Sequence, residues 1–163
     1  MKLSFRLKHH FFSAFREFFV HHHGSLEFRA KIFALLISSN EDADEENYTI
    51  VEKIALDIYK GDQDRADLLV LTTRELVKKV HDISSLDIDT LVSHIQKELK
   101  IIPRYAKKID IESLKPLTEI NRDIDTLAYQ KNILEFLQNL KDDTLCSQKS
   151  QIEKDEKNLI AKY

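Results

Sequence analysis

The sequence predicts an all-α fold: a single-domain bundle of about six to eight helices that contains an internally duplicated helix–loop–helix unit. The chain of 163 residues has only two glycines and two prolines, far fewer turn residues than a sheet protein of this size needs. Hydrophobic residues make up 42% and charged residues 33%, a balance typical of a soluble, globular protein. Apolar residues also recur at helical spacing along most of the chain.

Charge is divided unevenly between the start of the chain and the rest. The formal net charge is −3, yet residues 1–31 hold six Lys and Arg against two Glu, which leaves −7 for the remainder. This asymmetry indicates a basic arm on an acidic body, and the acidic total gives no reason to expect a nucleic-acid partner. The single cysteine, Cys146, excludes an intramolecular disulfide and a Cys-rich zinc site, so we expect a reducing, cytoplasmic setting.

Residues 1–24 form the basic arm, and their pattern predicts an amphipathic helix rich in phenylalanine. No apolar run in its first 20 residues exceeds four residues, too short for a secretory signal or a membrane span. We expect the apolar side of this helix to pack on the domain. One alternative is that it binds an anionic membrane surface, with the protein peripheral on the inner face of the membrane. The other is that it binds in a groove of a partner protein. The candidate contacts for a membrane or partner are Lys2, Arg6, Lys8, Phe12, Arg16 and Phe19.

The arm ends in three histidines, His21 to His23. Helical metal ligands usually lie three or four residues apart, and the histidines of the arm include no such pair, so they are a weak candidate for zinc binding. Gly24 is expected to cap the end of the arm, with the next helix beginning at Ser25.

The helical domain is predicted to span residues 25–145. Its expected helices are at 26–38, 45–59, 64–80, 87–99, 111–120 and 127–140. Pro103 removes a backbone donor and is expected to mark a loop. The polar, charged tail at 146–163 is expected to be either frayed helix or disordered.

A duplicated unit follows from two stretches that align at a constant offset of 81 residues, FALLISSNEDADEENYTIVEKIALDIYKGD (33–62) and LKPLTEINRDIDTLAYQKNILEFLQNLKDD (114–143). Leu36 aligns with Leu117 and Tyr48 with Tyr129, and each stretch reads as helix, N-x-D-x-D loop, helix. We interpret the pair as a duplication packed with approximate two-fold symmetry.

The acidic loops between these helices admit two interpretations. Asp44 and Asp125 stand where a helix begins, so we expect both to be N-caps that accept backbone N–H bonds. Divalent metal binding is the alternative, although neither loop has the Gly and Glu of an EF-hand at positions 6 and 12. The candidate metal ligands are Asp42, Asp44, Asp123 and Asp125.

The two units resemble the tellurite-resistance TerB-like helical domain, which also occurs at the N-terminus of membrane-anchored DnaJ-like proteins. In the family pattern a helix is followed by the residues A-D-G. An acidic residue comes about four positions later, and a Glu about three positions after that opens the next helix. The pattern occurs twice in the domain. The matching positions are Ser39-Asn40-Glu41, Asp44 and Asn47 in the first copy, and Ile120-Asn121-Arg122, Asp125 and Ala128 in the second. The resemblance implies an all-helical fold, an acidic surface that binds divalent metal, and a role in membrane-associated stress complexes. Of the matching acidic positions of the family pattern, only those at Asp44 and Asp125 keep a carboxylate.

Nothing in the sequence indicates catalysis. The chain contains only two glycines, Gly24 and Gly61, and so has no glycine-rich phosphate loop. Cys146 has no histidine nearby in the sequence to activate it. We therefore expect a non-catalytic binding or scaffold module with a protein partner, without a cofactor or small-molecule substrate. The alternative is a divalent-metal-binding stress protein that uses the acidic loops.

Overall fold

The computed structural model describes residues 24–41, 43–82, 86–120 and 123–161. Over these ranges the fold is all-α, as predicted, with no strand. The helices are α1 (Gly24–Ile37), α2 (Glu45–Ile58), α3 (Gln63–His81), α4 (Ile88–Ile101), a 3-10 helix (Pro103–Lys108), α5 (Ile111–Glu119) and α6 (Ile124–Ile160). None of the described helices is both long enough and apolar enough to cross a membrane.

Helix α1 is the centre of the bundle. Every residue from 30 to 37 is buried, together with Leu26 and Phe28. A helical stretch buried on all sides must be surrounded by other elements, and α1 contacts α3, α4, α5, α6 and the 3-10 helix. Helix α2 packs against α3 and α5.

One charged side chain of α1, Lys31, is buried and pairs with a partly exposed carboxylate, Glu98. The ammonium of Lys31 donates to Glu98 Oε1 of α4 at 2.6 Å, and Glu27 lies 3.8 Å from the same nitrogen. An unpaired buried charge is strongly disfavoured, so this pair fixes how α4 lies against α1.

Helices α2 and α3 form a hairpin with a tight turn. Lys60 adopts a left-handed conformation, with φ of 54°, and Gly61 follows at φ of 85°. The amide of Gly61 donates to Leu56 O at 2.8 Å and that of Lys60 to Asp57 O, which is the Schellman pattern that ends a helix. Asp62 then accepts from Arg65 N and caps α3, so the hairpin reverses within four residues.

The prediction of a loop at Pro103 is wrong in detail. Helix α4 ends at Ile101, and Pro103 begins a 3-10 helix, because its missing N–H is not needed at a first helical position. Tyr105 of this helix lies against Phe28, with ring centroids 5.3 Å apart. A Cβ at Gly24 would come within 2.6 Å of the Tyr105 hydroxyl oxygen, so a larger residue there would require the Tyr105 side chain to shift. Gly24 is itself the first residue of α1, one position before the predicted start.

Helix α6 is the longest element, with 37 residues. It starts three residues before the predicted helix and continues through the polar tail to Ile160. Its buried side chains are Gln130, Ile133, Leu134 and Leu137, all in the first half. From Cys146 onwards nearly every residue is exposed, so the second half extends beyond the packed body as a single helix.

The two predicted helix–loop–helix units correspond to α1–α2 and α5–α6. Leu36 and Leu117, which align at the offset of 81, are both fully buried. The second helices depart from this offset: α2 begins at Glu45 and α6 at Ile124, which is 79 positions later. Consistent with the shorter second loop, Tyr48 is 7% exposed whereas the aligned Tyr129 is 43% exposed. The duplication and its two-fold symmetry stay a prediction.

Candidate binding groove

A groove lies between α4, the start of the 3-10 helix and α6. Its volume is about 500 Å³. Four apolar side chains, Leu99, Pro103, Leu140 and Ile152, contribute to its lining. It is open to solvent, and Ile152 is 51% exposed.

The sequence produces this groove by ending one helix and continuing another. Ile101 is the last residue of α4, and the chain turns away into the 3-10 helix at Pro103. Helix α6 continues past this point. Its residues Leu140, Thr144, Ser147 and Gln151 recur every three or four positions and so present one face to the groove.

The chemistry of the groove suits binding. Apart from the apolar residues it is lined by glutamine amides, which can both donate and accept hydrogen bonds, and by two hydroxyl side chains. Its two charged groups have opposite sign and lie on opposite walls: Lys100 on α4 and Asp143 on α6. An apolar surface with polar, oppositely charged edges is complementary to an amphipathic ligand.

The structure confirms the capping role of Asp44. Asp44 is the N-cap of α2, and its Oδ1 accepts from Glu46 N at 3.0 Å. The same oxygen accepts from the side-chain amide of Asn47, a buried residue, at 3.2 Å. This bond explains why an asparagine stands in the first turn of α2.

The capping prediction for Asp125 is wrong. The N-cap of α6 is Asp123, whose Oδ2 accepts from Thr126 N at 2.8 Å and from Thr126 Oγ1 at 2.7 Å. These bonds stabilise the carboxylate and lower the pKa of Asp123 below its ordinary value, the hydroxyl bond contributing most. Asp125 lies exposed in the first turn. In D-I-D-T, only the first aspartate has a threonine three positions later that supplies both donors.

The candidate metal ligands are not brought to a common site by the described structure. Asp42 lies outside the described residues. Within the described ranges no three His, Cys, Asp or Glu side chains are grouped so that they could hold a metal ion, and this includes Asp44, Asp123 and Asp125. Metal binding by the acidic loops stays a prediction.

The candidate membrane contacts also lie outside the described residues. These are Lys2, Arg6, Lys8, Phe12, Arg16 and Phe19. The packing of the arm and its contact with a membrane or a partner therefore stay predictions.

The sequence analysis missed an interaction that joins α2 to α3. The guanidinium of Arg74 donates to both carboxylate oxygens of Glu45, Nη2 to Oε2 at 2.8 Å, and lies 4.0 Å from the centroid of the Tyr48 ring. The Arg74 hydrogen bond lowers the pKa of Glu45, and the same bond raises the pKa of Arg74. Burial raises the pKa of Tyr48. Glu45 and Arg74 are 29 positions apart, so no local pattern could have predicted the pair.

Comparison of the chain with models of known protein families, with curated proteins and with solved structures found no match.

Proposed function

We propose that this protein is a non-catalytic binding module that holds an amphipathic helix of a partner protein in the groove between α4 and α6. The observation that carries the proposal is the open groove of about 500 Å³, lined by apolar side chains and bordered by opposite charges. Pockets of this size and composition are typical ligand sites of helical proteins.

The shape of the groove favours a helix as the occupant. Along α6 it runs from Leu140 to Ile152, a rise of about 18 Å, or roughly three helical turns. A helix laid along it would present side chains spaced at i, i+3 or i+4, i+7 and i+11 to the lining between Leu140 and Ile152. Lys100 on one wall and Asp143 on the other favour a ligand with an acidic edge and a basic edge, and so select its direction.

The TerB-like resemblance is part of this proposal. On this proposal, the module acts in a membrane-associated stress complex at the cytoplasmic side of a membrane. The basic arm, residues 1–24, would then supply a contact with the anionic surface. Binding of the full chain to vesicles that contain phosphatidylserine, weakening as salt rises and lost on deletion of residues 1–20, would support this contact. A full-length chain that ignores such vesicles at low salt would exclude it.

The groove can be tested by selecting peptides from a display library of amphipathic helices. We expect peptides with an apolar helical face to bind the unmodified protein and to shift amide resonances of α4 and α6. Ile152→Glu should abolish binding, because it puts a charge into the apolar lining; as a half-exposed residue it should not unfold the protein. Ile160→Glu is the matched control, since it changes an exposed isoleucine of the same helix outside the groove. Equal binding to both variants would contradict the proposal.

Melting experiments test the alternative of a divalent-metal-binding stress protein. A rise in melting temperature with calcium, magnesium, manganese or zinc, reduced in Asp44→Ala and Asp125→Ala relative to Glu119→Ala, would favour metal binding by the acidic loops. A rise that matches sodium chloride of equal ionic strength would count against it.

A further inference from the structure

A second, smaller cavity lies on the body between α1, α2, α5 and the end of the 3-10 helix. Two basic side chains, Arg29 of α1 and Lys108 of the 3-10 helix, line it together with apolar residues. Its volume is about 20 Å³, room for about one water-sized group. None of its lining residues lines the groove between α4 and α6, so it is a separate feature.

The positive charge around this cavity is not balanced by ion pairs. Arg29, Arg104 and Lys108 take part in none of the salt bridges between the described residues. The pKa of Lys108 is lowered, first by burial and then by the charges of Arg29 and Arg104. The charges of Arg29 and Arg104 therefore act on Lys108, which forms no salt bridge with a carboxylate of the described residues.

The one acidic residue of the lining, Asp110, already has partners. Its carboxylate caps α5, accepting from Ser113 N at 3.3 Å and from Ser113 Oγ at 2.6 Å. Its pKa is lowered chiefly by the Ser113 hydroxyl, and among charged groups by Lys141 rather than by Arg29 or Lys108. Asp110 therefore serves the helix cap and forms no salt bridge with Arg29 or Lys108, while its carboxylate remains part of the cavity lining.

One buried polar atom of the lining, Nε of Arg29, lacks a hydrogen-bond partner among the described residues. The hydroxyl oxygen of Tyr59 also lacks one, and the Arg29 guanidinium carbon lies 6.0 Å from the centroid of the Tyr59 ring. Tyr59 itself does not line the cavity. Buried donors without acceptors are rare in folded proteins and indicate a missing partner.

We propose that the cavity lined by Arg29 and Lys108 binds a phosphate group. One phosphate oxygen would enter the cavity and accept a hydrogen bond from Arg29 Nε, while the other oxygens remain at the mouth near Lys108. A dianion matches two cations better than a monovalent carboxylate does, and the guanidinium fork suits phosphate geometry. The group can be carried by a soluble phosphate ester or by a lipid headgroup.

Amide NMR of the full chain with inorganic phosphate tests the site. We expect saturable shifts at residues 108–113 in phosphate, and none in sodium chloride of equal ionic strength. Lys108→Gln should weaken phosphate binding about fivefold, as loss of one partly exposed charge contact does. Lys107→Gln is the matched control, because Lys107 is the exposed neighbour in the same 3-10 helix and does not line the cavity. Arg29→Lys keeps the charge but removes the Nε donor, and should weaken binding as well.

Vesicles distinguish the two sources of the phosphate group. Phosphatidylcholine vesicles with phosphatidic acid offer a phosphomonoester headgroup. Both the unmodified protein and Lys108→Gln keep the basic arm, so the difference in vesicle binding between them measures the contribution of this cavity alone. If Lys108→Gln weakens vesicle binding and Lys107→Gln does not, the phosphate group belongs to a lipid headgroup. If only free phosphate gives saturable shifts, the phosphate group belongs to a soluble ester. The proposal is overturned if neither probe depends on Lys108, or if Lys107→Gln has the same effect. These outcomes are independent of the helix groove.

Discussion

At the residue scale, five aspartates of the described structure stabilise helix starts. Asp44, Asp62, Asp87, Asp110 and Asp123 each cap a helix through a bond to a backbone N–H in its first turn. Each bond satisfies a donor that the helix itself cannot, and each negative charge meets the positive end of a helix dipole. Five of the 28 Asp and Glu residues therefore have a structural role as helix caps.

Substitutions can test whether Asp123 or Asp125 caps α6. Asp123→Ala should lower the melting temperature, because Thr126 loses the acceptor for both its amide and its hydroxyl. Asp123→Asn should retain most of the stability, since asparagine also caps well, and Asp125→Ala should change it little. Thermal melting by circular dichroism would measure all three. A larger loss at Asp125 than at Asp123 would contradict the observed helix start.

The pair of Glu45 and Arg74 makes stability depend on pH. Because Arg74 lowers the pKa of Glu45 in the folded protein, the unfolded chain binds the proton more tightly. The stabilisation is thus complete above the ordinary glutamate pKa of 4.5 and is lost as pH falls through the lowered folded value. Both side chains are partly exposed, so the effect is small and salt-sensitive.

Glu45→Gln tests this dependence directly. The difference in melting temperature between the unmodified protein and Glu45→Gln should be largest near pH 7 and should shrink between pH values of about 5 and 3. Glu46→Gln, an exposed neighbour in the same first turn, should show a smaller change. A difference that is constant with pH would contradict the assignment.

At the element scale, α6 combines a packed half and an exposed half. A helix of 37 residues is about 55 Å long, and its buried residues all precede Cys146. The exposed turns have only their own backbone bonds to hold them, and such isolated helical segments are marginally stable in water.

Truncation of α6 after Ile152 should therefore leave the body intact. Removing residues 153–163 deletes only exposed side chains of the described helix and keeps the groove. We expect an unchanged melting temperature, a smaller helical signal in circular dichroism, and fast hydrogen exchange at 153–160 in the full chain. A fall of several degrees on truncation would show that these turns contribute to packing.

At the scale of the whole molecule, the bundle depends on α1. This helix contacts five other elements, and its largest side chains are fully buried. A cavity made in α1 cannot be filled by movement of one neighbour, because neighbours on the other sides hold the helix in place.

Leu36→Ala should cost about 3 kcal/mol of the free energy of unfolding. Leu117→Ala, at the equally buried position of α5, should cost a similar amount, whereas Leu159→Ala changes a residue that is 60% exposed and should cost little. Urea denaturation would measure all three. Comparable losses at Leu36 and Leu159 would contradict the central place of α1.

The sequence by itself determined the features that depend on near neighbours. Apolar spacing and helix-start residues predicted helices at 45–59, 64–80 and 87–99. The structure has helices at Glu45–Ile58, Gln63–His81 and Ile88–Ile101. These agree within two residues because periodicity, caps and helix-ending turns act within one or two turns.

Three features were decided only by the tertiary structure. Asp123 rather than Asp125 caps α6, and α1 is buried on all sides. Arg74 also pairs with Glu45, 29 positions away in the sequence. The tertiary structure also formed both candidate sites: Leu99 and Ile152 meet at the groove, and Arg29 and Lys108 at the small cavity. Each of these depends on how helices distant in sequence lie against one another. That arrangement follows from packing of the whole core, which no local pattern of residues contains.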